Sequence, residues 1–183
     1  SSASYFYAAA AVTGGRVRVQ GLGDRSLQGD ARFVEVLEQM GCEVGRSGDF
    51  TEVSGPRRLR GITVDLNGMP DMAQTLAAIA PFASSPVTIT GIAHNRGKET
   101  DRIAAVAAEL RKLGVQVEER EDGLKIYPSQ VEPAEIDTYD DHRMAMSFAV
   151  TGLRAPGIKI RHPECVHKTF PEFFRTFQAL TGV

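Results

Sequence analysis

The sequence predicts an α/β fold with pseudo-threefold repetition. Helical and strand periodicities alternate along the chain. The order helix–strand–helix–strand–strand returns at a fixed spacing, from Val17 to Val87 over 70 residues and from Val87 to Ile158 over 71. No Pro/Gly/Ser-rich linker or low-complexity tract interrupts the pattern, so residues 1–183 are expected to form a single globular domain.

The first repeat covers residues 4–22. It opens with an Ala-rich helix from Ser4 to Val12, breaks at Gly14-Gly15 and continues as the strand Val17-Arg18-Val19-Gln20. The second has a helix over 71–82, a break at Ser84-Ser85-Pro86 and an alternating strand at 87–90. The third has a helix over 141–153, a turn at Ala155-Pro156-Gly157 and a strand at 158–160. A second helix follows each strand: 31–40, 102–113 and 170–180, apolar at i, i+3, i+4 and i+7. Gly41 and Gly114 are suited to the left-handed position that ends a helix. Hairpin-like pairs are expected for 50–54 with 62–66, and for 115–119 with 123–127 across Glu121-Asp122-Gly123. The chain opens inside a helix, which suggests that a strand before residue 1 is missing.

Composition narrows the function. Lys+Arg 21 against Asp+Glu 23 gives a formal charge of −2, without the basic excess of a nucleic-acid binder. No apolar run approaches the ~20 residues of a membrane helix, and no basic signal-peptide n-region opens the chain. Cys42 and Cys165 lack ligand-like spacing and read as reduced, buried thiols of a cytoplasmic protein. There is no HExxH and no clustered Cys/His, so metal binding is not supported, and P-loop, GxGxxG after a strand and GxSxG motifs are missing as well.

The informative residues are cations at helix starts. Helix N-termini favour anions, and a cation there costs about 0.3–1 kcal/mol. Yet Arg32, the run Lys98-Glu99-Thr100-Asp101-Arg102, Asp141-His142-Arg143 and Lys168 all stand at such places. Ordinary capping covers part of this. Thr100 and Asp141 are good N-caps, Asp71 after Pro70 could be another, and Thr169 with Glu172 has the spacing of a capping box. If the threefold packing turns these ends the same way, they form a ring suited to phosphate and carboxylate. Asp71 and Glu99 add an acid–base pair beside that anion site. Spacing alone does not say which is the acid and which the base.

Four segments resemble the 5-enolpyruvylshikimate-3-phosphate synthase family: Pro70-Asp71, Arg96-Gly97-Lys98-Glu99-Thr100-Asp101-Arg102, Tyr139-Asp140-Asp141-His142-Arg143-Met144-Ala145-Met146 and Lys168-Thr169-Phe170-Pro171. The resemblance runs through the whole chain in order and matches the C-terminal part of a family whose members are more than twice this length. It implies the inside-out α/β barrel fold of enolpyruvyl transferases, with βαβαββ units around a pseudo-threefold axis and a second similar domain. It also implies a glyphosate-target transferase of aromatic amino acid biosynthesis, acting on phosphoenolpyruvate and shikimate 3-phosphate without a cofactor. Its partner would be the missing N-terminal part of the same enzyme; neither nucleic acid nor membrane is implied.

By position, the resemblance makes Asp71 the contact to the shikimate hydroxyls and a proton acceptor. Glu99 becomes the proton donor to the phosphoenolpyruvate methylene carbon. Lys98 and His94 become shikimate contacts, although His94-Asn95 stands where relatives often carry Asn-Trp. Arg102, Arg143 and Lys168, with His142 adjacent, become the phosphoenolpyruvate clamp. About half of the family's site is absent, so the isolated chain is expected to be inactive. Two other readings are a sister enolpyruvyl transferase acting on a UDP-sugar and a non-catalytic binding module of the same fold.

Overall fold

The computed structural model describes residues 2–21 and 29–182. Leu22, the end of the 4–22 segment that opens the first repeat, lies outside them. The first repeat comprises α1 (Ala3–Thr13), β1 (Arg16–Gln20), α2 (Gly29–Gln39), β2 (Glu43–Arg46) and β3 (Phe50–Ser54). The second comprises β4 (Thr63–Asp65), α3 (Ala73–Ile79), β5 (Val87–Thr90), α4 (Arg102–Lys112), β6 (Val117–Arg120) and β7 (Gly123–Ile126). The third comprises β8 (Glu135–Ile136), α5 (His142–Gly152), β9 (Lys159–Ile160) and α6 (Phe173–Thr181).

The repetition extends to strand order. β3 lies antiparallel between β1 and β2, and β7 lies in the same way between β5 and β6. β4 joins β5 in parallel, and β8 joins β9 in parallel, so a helix crosses over between each such pair. The β6–β7 hairpin forms as expected, with Arg120 opposite Gly123.

The 50–54 with 62–66 hairpin does not form. Both edges of β3 are occupied by β1 and β2, and residues 63–65 instead begin the next repeat as β4. The eight residues between β3 and β4, including Pro56 and Gly61, exceed the two to five of a usual hairpin loop.

The helices sort into two kinds. In α1 every residue from Ser4 to Val12 is buried, and so is every residue of α3. α5 is buried over Met144–Phe148. Helices apolar on all sides belong inside, and these three pack on one another. They point the same way. Near their starts Ser4 Oγ lies 3.4 Å from Thr75 Oγ1, and near their ends the Thr151 hydroxyl donates to Ala78 O at 2.8 Å. The strands are outside and half-solvated, with β1 alternating exposed and half-buried. This is the inside-out arrangement expected. α6 closes the interior with Phe173, whose ring lies 5.8 Å from Tyr5, 5.9 Å from Phe6 and 5.2 Å from Phe177.

Two helix starts differ from expectation. α4 is capped by Asp101, not Thr100: the Ala104 amide donates to Asp101 Oδ1 at 3.0 Å. The Thr169–Glu172 capping box is absent. α6 begins at Phe173, two residues after Pro171, and the Thr169 hydroxyl donates to Val166 O at 3.5 Å. No helix among the described residues is long and apolar enough to cross a membrane.

Candidate active site

The starts of the inner helices carry the chemistry. Pro70–Met72 is a single 3-10 turn leading into α3, and Asp71 in it does not cap that helix. Its carboxylate accepts instead from Arg102 Nη1 at 3.3 Å and from Arg143 Nη2 at 3.5 Å. The Asn95 amide holds this turn by donating to Pro70 O at 3.0 Å. Asp141 does cap α5, accepting from the Arg143 amide at 2.9 Å.

Arg102, the first residue of α4, is the centre of the cluster. Its side chain is 3% exposed and Asp141 is 0% exposed. Arg102 Nε donates to Asp141 Oδ2 at 2.9 Å, Nη1 to Asp71 and Nη2 to Glu99. Gln74 Nε2 adds a bond to Asp141 Oδ2 at 3.3 Å. A buried guanidinium requires this, because an uncompensated buried charge costs several kcal/mol. The carboxylates differ in exposure. Asp141 is sealed, whereas Asp71 and Glu99 are 45% and 50% exposed.

Arg143 lies beside this group, with Nη1 donating to the Tyr5 hydroxyl at 3.3 Å and to Asp71 O at 3.5 Å. Arg143 also crowds His142, whose imidazole is held below its ordinary range by burial first and by that cation second. His142 is therefore neutral at pH 7 and does not add to the positive charge. Arg102 and Arg143 thus face Asp71, Glu99 and Asp141.

The remaining candidates lie around this core. Lys98 and His94 are exposed and make no polar contact among the described residues. Asn95, by contrast, is buried and turned inward. Lys168 is one step removed, its ammonium 3.5 Å from Asp140 Oδ2 across a cleft of about 390 Å³ that also reaches His162. Arg32 opens no anion ring here; its guanidinium donates to Gly68 O at 3.4 Å.

Two roles escape the sequence reading. Asp141 reads there as a cap, and its service to Arg102, 39 residues away, is a tertiary fact. Glu109 is fully buried, and it accepts from Lys112 Nζ, the Asp137 amide and the Tyr139 hydroxyl, each at 2.7 Å. It thereby ties α4 to the segment before α5, where Tyr139 and Asp140 are left-handed at φ 54° and 53°. Its signal was available: Glu109 stands about one helical turn from both Val106 and Leu113, at the edge of the apolar stripe Ile103, Val106, Leu110 and Leu113.

Known proteins share both sequence and architecture with the chain. The model for EPSP synthase (3-phosphoshikimate 1-carboxyvinyltransferase) matches residues 1–177. A 3-phosphoshikimate 1-carboxyvinyltransferase of Nostoc punctiforme is 64% identical over 181 residues, covering 98% of this chain and 42% of the relative. An EPSP synthase structure from Acinetobacter baumannii superposes with a TM-score of 0.85 at 30% identity, over 97% of this chain and 44% of that one. The enolpyruvyl transferase NikO from Streptomyces tendae, at 20% identity and TM-score 0.73 over 97% of this chain and 42% of that one, shares the fold. The chain therefore spans a little over two fifths of the length of these relatives. A match of this extent, with the motifs at the inner helix starts inside it, means that the chain belongs to the EPSP synthase (3-phosphoshikimate 1-carboxyvinyltransferase) family.

Proposed function

We propose that the chain supplies one half of a synthase site that moves the enolpyruvyl group of phosphoenolpyruvate to the 5-hydroxyl of shikimate 3-phosphate and releases phosphate. The observation that carries this reading is two neighbouring arginines: Arg102, anchored by Asp141 and paired with the half-exposed Asp71 and Glu99, and Arg143, which reaches the same Asp71. Two dianion-binding forks with two half-exposed acids suit a reaction that joins two phosphorylated substrates and moves protons in both directions.

In this reading Arg102, Arg143 and Lys168 hold the carboxylate and phosphate of phosphoenolpyruvate, with His142 beside them. Lys98, His94 and Asp71 hold the shikimate part. Asp71 takes the proton of the 5-hydroxyl as its oxygen bonds to C2 of phosphoenolpyruvate. Glu99 delivers a proton to C3, and the two steps give a tetrahedral adduct. Breaking the C2–O bond to phosphate, while C3 returns its proton to Glu99, restores the double bond in the product. Positioning and charge screening by the arginines supply the rate enhancement, and no cofactor takes part. The other half of the site lies on the rest of the enzyme, in a second domain of similar build. The two unpaired, buried cysteines suit the reducing cytoplasm.

The test measures phosphate release from phosphoenolpyruvate and shikimate 3-phosphate by the chain alone and after mixing with the missing N-terminal part. The expected result is no turnover alone and turnover on mixing, abolished by Asp71→Asn and by Glu99→Gln. Full turnover by the chain alone would overturn the half-site reading. Turnover with a UDP-sugar in place of shikimate 3-phosphate would assign the sister reaction. An unchanged rate in both amide variants would remove the catalytic reading.

A further inference from the structure

The three inner helices that start at the arginine cluster all end at one cleft on the opposite side of the domain. Ala11 and Val12 close α1, Pro81 and Phe82 follow α3, and Arg154 follows α5, around a space of about 460 Å³. With eleven residues in α1, the two ends lie roughly 16 Å apart along the helix axis.

Helix C-terminal ends favour cations, and this cleft holds more of them than its three helix ends require. Among the described residues three arginines line it, Arg57, Arg58 and Arg154, and no acid does. Arg154 has a structural occupation that accounts for it. Its Nη1 donates to Val12 O at 2.7 Å, and its guanidinium lies 5.2 Å from the Phe82 ring. A cation capping a helix C-terminus is favoured by the dipole. Arg57 and Arg58 have no such occupation. Both are exposed, and neither makes a hydrogen bond or ion pair among the described residues.

A charge balance shows that the arginines exceed what capping needs. Three helix C-termini present about half a negative charge each, on the order of −1.5 together, against three unit positive charges. The apolar surface open to the cleft comes from the half-buried Phe82, Pro56 and Pro128, over the buried Leu59 and Val12. The volume lies in the range of small-molecule sites, about 300–1,000 Å³.

We propose that this cleft is a second anion site, distinct from the arginine cluster at the helix starts, which takes a small organic phosphate or carboxylate carrying a flat apolar body. The anionic group lies between Arg57 and Arg58, whose forks suit such oxygens in pairs. The apolar body rests on Phe82, Pro56 and Pro128.

Phenyl phosphate titrated into the ¹⁵N-labelled chain tests this, with inorganic phosphate as the second probe. The expected result is saturable shifts at the amides of Arg58, Leu59, Ser129 and Gln130, with phenyl phosphate binding there more tightly than phosphate. In R57Q/R58Q that binding weakens by about tenfold or more, while shifts at the Asp71 and Arg143 amides, where phosphate also binds, are retained. Those retained shifts, with an unchanged remainder of the spectrum, show that the variant is folded. Shifts confined to the Asp71 and Arg143 end, or equal binding at Ser129 and Gln130 in the double variant, would overturn the site. Phosphate binding as tightly as phenyl phosphate would overturn the apolar half of the assignment.

Discussion

Arg102 and Asp141 meet at 2.9 Å with neither side chain open to solvent, 39 residues apart in sequence and at the starts of two different helices. Everything reactive nearby leans on this pair. Asp71 and Glu99 reach Arg102 from the solvent side, and Arg143 follows Asp141 on α5.

Removing one member should therefore be costly. Asp141→Ala leaves a buried guanidinium with only half-exposed partners and removes the α5 cap, so it should destabilise the fold by about 3–5 kcal/mol. Urea unfolding monitored by circular dichroism measures it, and a loss below about 1 kcal/mol would show that Arg102 does not depend on Asp141.

Glu99→Gln should behave differently. Glu99 is half-exposed and its pairing with Arg102 is screened by water, so the change in stability should stay within about 1 kcal/mol. The same unfolding measurement separates a loss of turnover in this variant from a loss of fold.

The Glu109 network gives a third expectation. Glu109→Ala leaves the Asp137 amide and the Tyr139 hydroxyl without their partner, at about 3 kcal/mol, whereas Tyr139→Phe removes one bond at about 1–2 kcal/mol. Burial, and Glu109 after it, hold the Tyr139 phenol protonated well above its usual 10. In Glu109→Ala the phenol should titrate closer to that value, followed by the ring resonances of Tyr139. An unmoved titration would show that Glu109 contributes nothing to it.

His142 sets a pH dependence. Its folded value lies below the ordinary 6.5, so the unfolded chain takes up the proton first as pH falls. The His142 contribution to stability is complete above about 6.5 and is lost as pH falls toward the folded value. Between about pH 7.5 and pH 5.5 the wild type should lose more stability than His142→Asn. Equal losses in the two proteins would place the titration elsewhere.

The repeat was legible because its signals are local. Periodicity placed α1, β1, α4 and β7 to within a few residues, since alternation and 3.6-residue spacing are properties of short windows. Residues 62–66 were misjudged because strand identity alone does not choose a partner. β3 had already spent both edges, and β4 found β5 in parallel. Thr100 and Asp71 do not cap their helices for a similar reason. Asp101 took the cap by its extended backbone, and Asp71 was drawn off by two arginines.

By itself, then, the sequence determined the repeating α/β order, the cations at helix starts and the motifs that carry the family. Only the tertiary structure decided that Arg102 is buried, that Asp141 and not solvent neutralises it, and that Arg57, Arg58 and Arg154 gather at the far end of the same helices. The reason is physical. Helix and strand formation depend on near neighbours, whereas the state of a charge depends on what lies within a few ångströms in space, which sequence distance does not report.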